Sequence, residues 1–231
     1  MEIKGFQGTS LLDYPGKIAS LVFFGGCNLT CPFCHNPGLV LDPGQYPDLS
    51  VELLLEELAE RRTFIDGVVI SGGEPTLDPG LPDFLRRIKE LGLLVKLDTN
   101  GLAPRVLERL IAGNLVDYVA IDLKTAPERY PQLHSGPVSV ADLERSVSLL
   151  VDGAVDHEFR TTCVPGFVGQ GDIRRIGETL QGARRWVLQQ FVPRHALSLH
   201  MQGIEPYPPA QLELLAALAA PYAREVSIRG L

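Results

Sequence analysis

The chain lacks the marks of a secreted or membrane-spanning protein. Its first ten residues, MEIKGFQGTS, carry no basic stretch followed by an apolar run. No window approaches the roughly eighteen apolar residues that a membrane span requires. A cytosolic location is therefore expected, with no membrane partner. A disulfide framework is lacking too. Of four cysteines three are crowded together, and a reducing compartment turns such a set toward metal binding or catalysis. Basic excess is absent, since 21 Lys and Arg face 28 Asp and Glu for a net charge of −7, and a nucleic-acid backbone is not an expected partner. There is no short solenoid repeat, low-complexity tract or long linker. What remains is an ordinary globular composition, 45% hydrophobic and 21% charged, long enough at 231 residues for one core. A single domain over 1–231 is expected, with a cysteine loop at 25–38 and a C-terminal segment at 193–231 that begins proline-rich.

What is present is a repeated strand, loop and helix. KIASLVFF (17–24), GVVIS (67–71), LLVKLDT (93–99), DYVAIDLK (117–124), DHEFRTTCV (156–164) and RWVLQQFV (185–192) read as strands. Each precedes a helical pattern: 50–62, 78–92, 104–113, 140–153, 171–182 and 209–220. Ser50 is a helix cap, Pro104 opens a first turn, and Gly92 and Gly113 close helices. EVSIRGL at the end is a candidate further strand. Six such units predict a parallel α/β sheet with right-handed crossovers, either closing toward a barrel or left open and doubly wound.

In parallel α/β folds the chemistry lies beyond the carboxyl ends of the strands. There the sequence delivers, in order, Cys27/Cys31/Cys34, then Ser71-Gly72-Gly73-Glu74-Pro75, Asp98-Thr99-Asn100-Gly101, Asp122-Leu123-Lys124, Arg160, and Arg194-His195. Three thiols with no second pair do not make the usual four-ligand zinc site, although His35 would be an adjacent fourth ligand. They fit an iron–sulfur cluster with one iron left open. Cys31-Pro-Phe-Cys34 also matches a thioredoxin-like redox pair, which leaves Cys27 unexplained. Cys163, far downstream on a strand, reads as a small buried hydrophobe. Gly72 and Gly73 alone make an ordinary strand-to-helix turn. Beside a cluster they expose backbone to a ligand, and Glu74 offers an anion to an ammonium group. Asp98 and Asp122 are either carboxylates satisfied at strand ends or, with Lys124, a site for a small cation or a carboxylate. Arg160 and His195 are individually ambiguous, since a partly buried arginine more often pairs structurally and a lone histidine is more often a surface residue.

Cys27-x3-Cys31-x2-Cys34, with Phe33 before the last cysteine, and Ser71-Gly-Gly-Glu-Pro75 resemble the signatures of radical S-adenosylmethionine enzymes. The likeness extends through DYPGK (13–17), FFGGCNLTCPFCHNP, SGGEPTL, KLDTNG, DYVAIDLK, EFRTTCVPG and VLQQFVP, and narrows to the activating enzymes of glycyl radical enzymes. DYPGK, VKLDTNG, EFRTT and VLQQF are most similar to the activating protein of anaerobic ribonucleoside-triphosphate reductase.

The resemblance implies a partial (β/α)6 barrel. It implies one 4Fe–4S cluster on Cys27, Cys31 and Cys34, whose fourth iron is chelated by S-adenosylmethionine. It implies a cosubstrate site from Phe33, Gly72, Gly73, Glu74, Thr99, Asn100, Lys124, Arg160 and His195. A monovalent cation, K or Na, is implied at Asp98 and Asp122 with backbone groups of Thr99 and Ala120. The implied partners are a glycyl radical enzyme and a flavodoxin- or ferredoxin-type electron donor. Three alternatives stand beside this one: an activase of pyruvate formate-lyase or another glycyl radical enzyme, a small-molecule radical enzyme such as a carboxydeazaguanine synthase, and a non-enzymatic iron–sulfur or zinc protein.

Overall fold

The computed structural model describes residues 1–134 and 136–231. Its eight strands follow chain order through one open sheet, from β1 at one end to β8 at the other. The described residues pack as two compact units interleaved along the chain.

The first unit holds Met1–Asn28, Gly38–Thr99 and Arg105–Val119. It contains β1 (Ile3–Ser10), β2 (Ala19–Phe24), α1 (Pro37–Leu41, begun in the other unit), α2 (Val51–Arg61), β3 (Gly67–Gly72), α3 (Leu81–Glu90), β4 (Leu94–Thr99) and most of α4 (Pro104–Ala112). Ser50 caps α2 by accepting from Leu53 N, as the sequence predicts. Strands β2, β3 and β4 pair in parallel. Strand β1 pairs antiparallel with β2 and was not anticipated. Its glycine-interrupted IKGFQGTS buries only Ile3 and Ser10, so it shows no apolar run to read.

Paired residues of a parallel ladder point to the same face, so the register defines rows. Leu21, Val69 and Lys96 form one row, and Phe23 and Ser71 lie one step nearer the carboxyl ends, level with Asp98. Tyr14, Ala19, Leu21, Val69 and Tyr118 make an apolar cluster there. Tyr14, from DYPGK, meets Tyr118 with ring centroids 5.7 Å apart.

Strand β5 (Tyr118–Asp122) begins in the first unit and ends in the second. The second unit contributes α5 (Val140–Val151), β6 (Asp156–Cys163), α6 (Gln170–Thr179), β7 (Ala183–Gln190), α7 (Leu199–Gln202), α8 (Pro209–Ala219) and β8 (Ala223–Arg229). Strands β6, β7 and β8 are parallel, so EVSIRGL does supply a last strand. Trp186 is fully buried and donates its indole N–H to Thr161 Oγ1 at 2.9 Å, satisfying the one polar atom it carries inward. Among the described residues no helix is long and apolar enough to cross a membrane.

Candidate functional site

In the first unit the Gly-Gly-Glu segment is built against the backbone that leads into Cys27. Gly73 N donates to Phe24 O and Glu74 N to Gly26 O, both at 2.8 Å. A Cβ on Gly73 would lie 1.8 Å from Gly26 O, and one on Gly72 would lie 2.3 Å from Phe24 N. Gly72 also has φ +119°, outside the range of L side chains. The two glycines therefore permit backbone-to-backbone approach, a demand that a strand-to-helix turn does not make.

Glu74 is held by the chain's own donors. Its carboxylate is buried, and Oε1 accepts from Thr76 N (3.1 Å), Thr76 Oγ1 (2.5 Å) and Thr99 Oγ1 (2.7 Å). Through Oε1 it ties the loop after β3 to the end of β4.

In the second unit the cysteine loop is held by segments that follow three strands. Thr30 N donates to Leu133 O, and its hydroxyl lies 3.1 Å from His134 Nδ1; both partners follow β5. Phe33 packs edge-on against Phe167, beyond β6, at 5.2 Å. Ser198 N donates to Pro32 O, and His35 stacks on Phe191, both partners lying beyond β7. Cys34 N closes a turn on Cys31 O at 2.9 Å, which carries both thiols on one tight bend.

Phe167 is itself clamped. Arg129 donates to Phe167 O, Gly166 O, Asp172 Oδ1 and Gln132 Oε1, and lies over the Phe167 ring. Thr125 Oγ1 donates to the same Phe167 carbonyl at 2.6 Å. Arg129→Ala should release this loop from under Phe33. Charged hydrogen bonds contribute roughly 1.5–3 kcal/mol each before solvent screening, so a net loss of about 2 kcal/mol is expected. That corresponds to a melting temperature lower by roughly 4–8 °C, with slower cluster reconstitution, read by calorimetry and iron analysis. An unchanged melt and normal reconstitution would discard the clamp.

Asp122 lies between two cations, accepting from Arg160 Nε at 2.7 Å and Lys124 Nζ at 2.9 Å. Burial alone would raise its pKa, but Arg160 and then Lys124 outweigh it and hold the carboxyl well below the usual range. Burial alone would likewise depress Lys124. Asp122, Cys31 and Cys34 outweigh it, and the ammonium is held above its ordinary value. The same lysine thus neutralises a carboxylate and faces two of the three thiols.

Asp98 is also taken up by a cation from the chain: the fully buried Lys96 pairs with Oδ1, while Ser71 Oγ lies 3.4 Å from Oδ2. Of the two aspartates expected at a K or Na site, each is thus paired within its own unit, Asp98 with Lys96 and Asp122 with Arg160 and Lys124.

Thr99 and Asn100 are buried, and Asn100 Oδ1 accepts from Leu102 N in a turn completed by Gly101 at φ +78°. His195 ends a short turn after β7, exposed, close enough to His35 to act on its charge. Cys163 is fully buried with its thiol pushed up to about 12 by desolvation, the behaviour expected of a hydrophobe. Sequence reasoning missed Lys96, Arg129 and Phe167. Only Lys96 left a signal, a lone charge inside the apolar strand LLVKLDT.

Among the described residues no three His, Cys, Asp or Glu side chains gather as they would around a single metal ion. A zinc completed by His35 therefore has no ligand set. A four-iron cube is larger than an ion and spaces its thiolates more widely. Within the second unit, two thiols on one bend facing Lys124 suit such a larger anionic group.

The radical SAM superfamily model matches residues 21–175, about two thirds of the chain. The chain belongs to the radical SAM superfamily. A protein named as a glycyl-radical enzyme activating enzyme, from Methanocaldococcus jannaschii, is 33% identical over 98% of this chain and 95% of its own. Pyruvate formate-lyase 1-activating enzyme of Escherichia coli K12 is 28% identical over 97% of both chains. A 7-carboxy-7-deazaguanine synthase of Methanothermobacter thermautotrophicus is 30% identical over 75% of this chain and 71% of its own. Among solved structures, Streptococcus suis SuiB matches 89% of this chain with a TM-score of 0.68 at 15% identity. The chain spans about half of that longer protein, 47%, and the match carries the fold alone. The protein is thus a radical SAM enzyme homologous to glycyl-radical enzyme activating enzymes, and the superfamily's cofactors are a 4Fe–4S cluster and S-adenosylmethionine.

Proposed function

We propose that this radical SAM enzyme installs a glycyl radical on a partner protein in the cytoplasm, and that the partner is an anaerobic ribonucleoside-triphosphate reductase. The observation that carries the activase reading is likeness along nearly the entire length of the Methanocaldococcus activating enzyme. The choice of reductase rests on DYPGK (13–17), VKLDTNG (95–101), EFRTT (158–162) and VLQQF (187–191).

In this reading Cys27, Cys31 and Cys34 hold the cluster. When bound and reduced by a flavodoxin- or ferredoxin-type donor, it supplies the single electron that splits the S-adenosylmethionine sulfonium into methionine and a 5′-deoxyadenosyl radical. The backbone at Gly72, Gly73 and Glu74 orients the cosubstrate's amino end. Lys124, paired with the Asp122 carboxylate that Arg160 also holds, presents a cation beside the thiols. The resemblance assigns further cosubstrate contacts to Thr99, Asn100 and His195. One hydrogen atom then leaves a glycine Cα of the partner and ends on 5′-deoxyadenosine, so electrons and atoms balance with one glycyl radical per cosubstrate. The chain's task is proximity: a primary radical attacks what lies nearest, so the cosubstrate and the target Cα must be held together with water excluded.

The reduced holoenzyme, S-adenosylmethionine and the reductase together should give a glycyl doublet by electron paramagnetic resonance. The doublet should grow with deoxyadenosine and be absent when the target glycine is alanine. Activation of pyruvate formate-lyase alone would replace the partner and keep the mechanism. The deazaguanine synthase likeness favours a second reading, radical chemistry on a small purine-like substrate. Turnover of such a substrate with no protein radical would make that reading the correct one.

A further inference from the structure

We infer that Lys96 is a built-in counter-cation of the β4 rim, and that this protein binds S-adenosylmethionine without help from sodium or potassium. Lys96 is fully buried in a parallel strand, in the same row as Leu21 and Val69. Being two residues from Asp98, it shares that residue's face of β4, and its ammonium reaches up from the apolar layer to Oδ1. The ammonium also lies 5.8 Å from the Tyr118 ring centroid, over the face of an aromatic packed on Tyr14.

Stability is a poor reason for this arrangement. Desolvating a lysine and an aspartate costs about as much as their attraction returns, and an apolar pair of the same volume would fill the layer as well. What the pair does provide is an aspartate at the carboxyl end of β4 whose charge is balanced from within the fold. Asp98 is followed directly by Thr99, whose hydroxyl holds Glu74 and so the Gly-Gly-Glu turn. Lys96 is therefore a positioning residue for the segment proposed to receive the cosubstrate, and a fixed ammonium does there what a dissolved cation would otherwise do.

The inference rests on the proposed use of the β4 rim for the cosubstrate. Its test is binding of S-adenosylmethionine to the reconstituted holoenzyme by calorimetry, in potassium, sodium or tetramethylammonium chloride at equal ionic strength. The wild type should give the same Kd in all three within about twofold. Lys96→Met should bind about tenfold more weakly in tetramethylammonium and recover when potassium or sodium is supplied. A purely structural lysine would not produce that rescue. Tenfold weaker wild-type binding in tetramethylammonium overturns the inference, as does wild-type affinity of Lys96→Met in all three salts. Should the variant not fold, the wild-type series decides alone. Asp98→Asn that binds as tightly as the wild type would instead remove the rim assignment. No partner protein is present, so the outcome is indifferent to which enzyme is activated.

Discussion

Alanine at Cys27, Cys31 or Cys34 is expected to bring iron and sulfide content after reconstitution to background and to abolish S-adenosylmethionine cleavage. Each change removes one thiolate from a set of three, and the remaining cysteine cannot stand in for it. Cys163 is fully buried on β6, and desolvation holds its thiol neutral at working pH, pushed up to about 12, whereas the thiolate is the ligand. Cys163→Ala should therefore keep both cluster and cleavage, with a packing loss of about 1 kcal/mol. Iron and sulfide analysis with deoxyadenosine quantification reads both arms. A full cluster in any of the first three variants, or its loss in the Cys163 variant alone, would overturn the ligand set.

Gly73→Ala should be nearly as damaging without touching a ligand. The added Cβ would sit 1.8 Å from Gly26 O and 2.7 Å from Gly26 C, and backbone cannot rotate aside as a side chain does. The turn must move away, breaking the 2.8 Å bonds from Gly73 N to Phe24 O and from Glu74 N to Gly26 O. Overpacking of this kind costs roughly 1–3 kcal/mol or more, so cosubstrate binding at least about tenfold weaker is expected. Gly171→Ala is the control: it lies in α6 with nothing within 4 Å of the new Cβ, and should be neutral or slightly stabilising. Equal affinities in the two variants would show that the close approach at Gly73 is irrelevant to the cosubstrate.

Much of this architecture is legible in the chain. Continuous apolar strands alternating with capped helices specify parallel α/β units, because a strand buried on both faces needs apolar residues at consecutive positions. GVVIS and DYVAID read clearly for that reason. IKGFQGTS did not, because an edge strand buried at two positions carries no such period. Three cysteines within eight residues imply a soft-metal group whatever the surrounding fold, since thiolate chemistry is local.

Long-range pairing is what the tertiary structure alone decided. Two aspartates at strand ends look like a cation site in one dimension. In three, Lys96 and Arg160 reach them, pairings that the sequence by itself does not display. Glu74 shows in the sequence only as an anion after a Gly-Gly turn, and the fold adds the Thr76 and Thr99 hydroxyls that donate to its Oε1. Arg129 has no sequence signal at all: its carbonyl partners lie 37 and 38 residues away, and backbone acceptors are invisible in side-chain patterns. Residue type and local spacing thus determine which chemistry the loops can carry. Which groups remain available for it depends on packing, because burial makes each charge find its partner wherever the fold brings one.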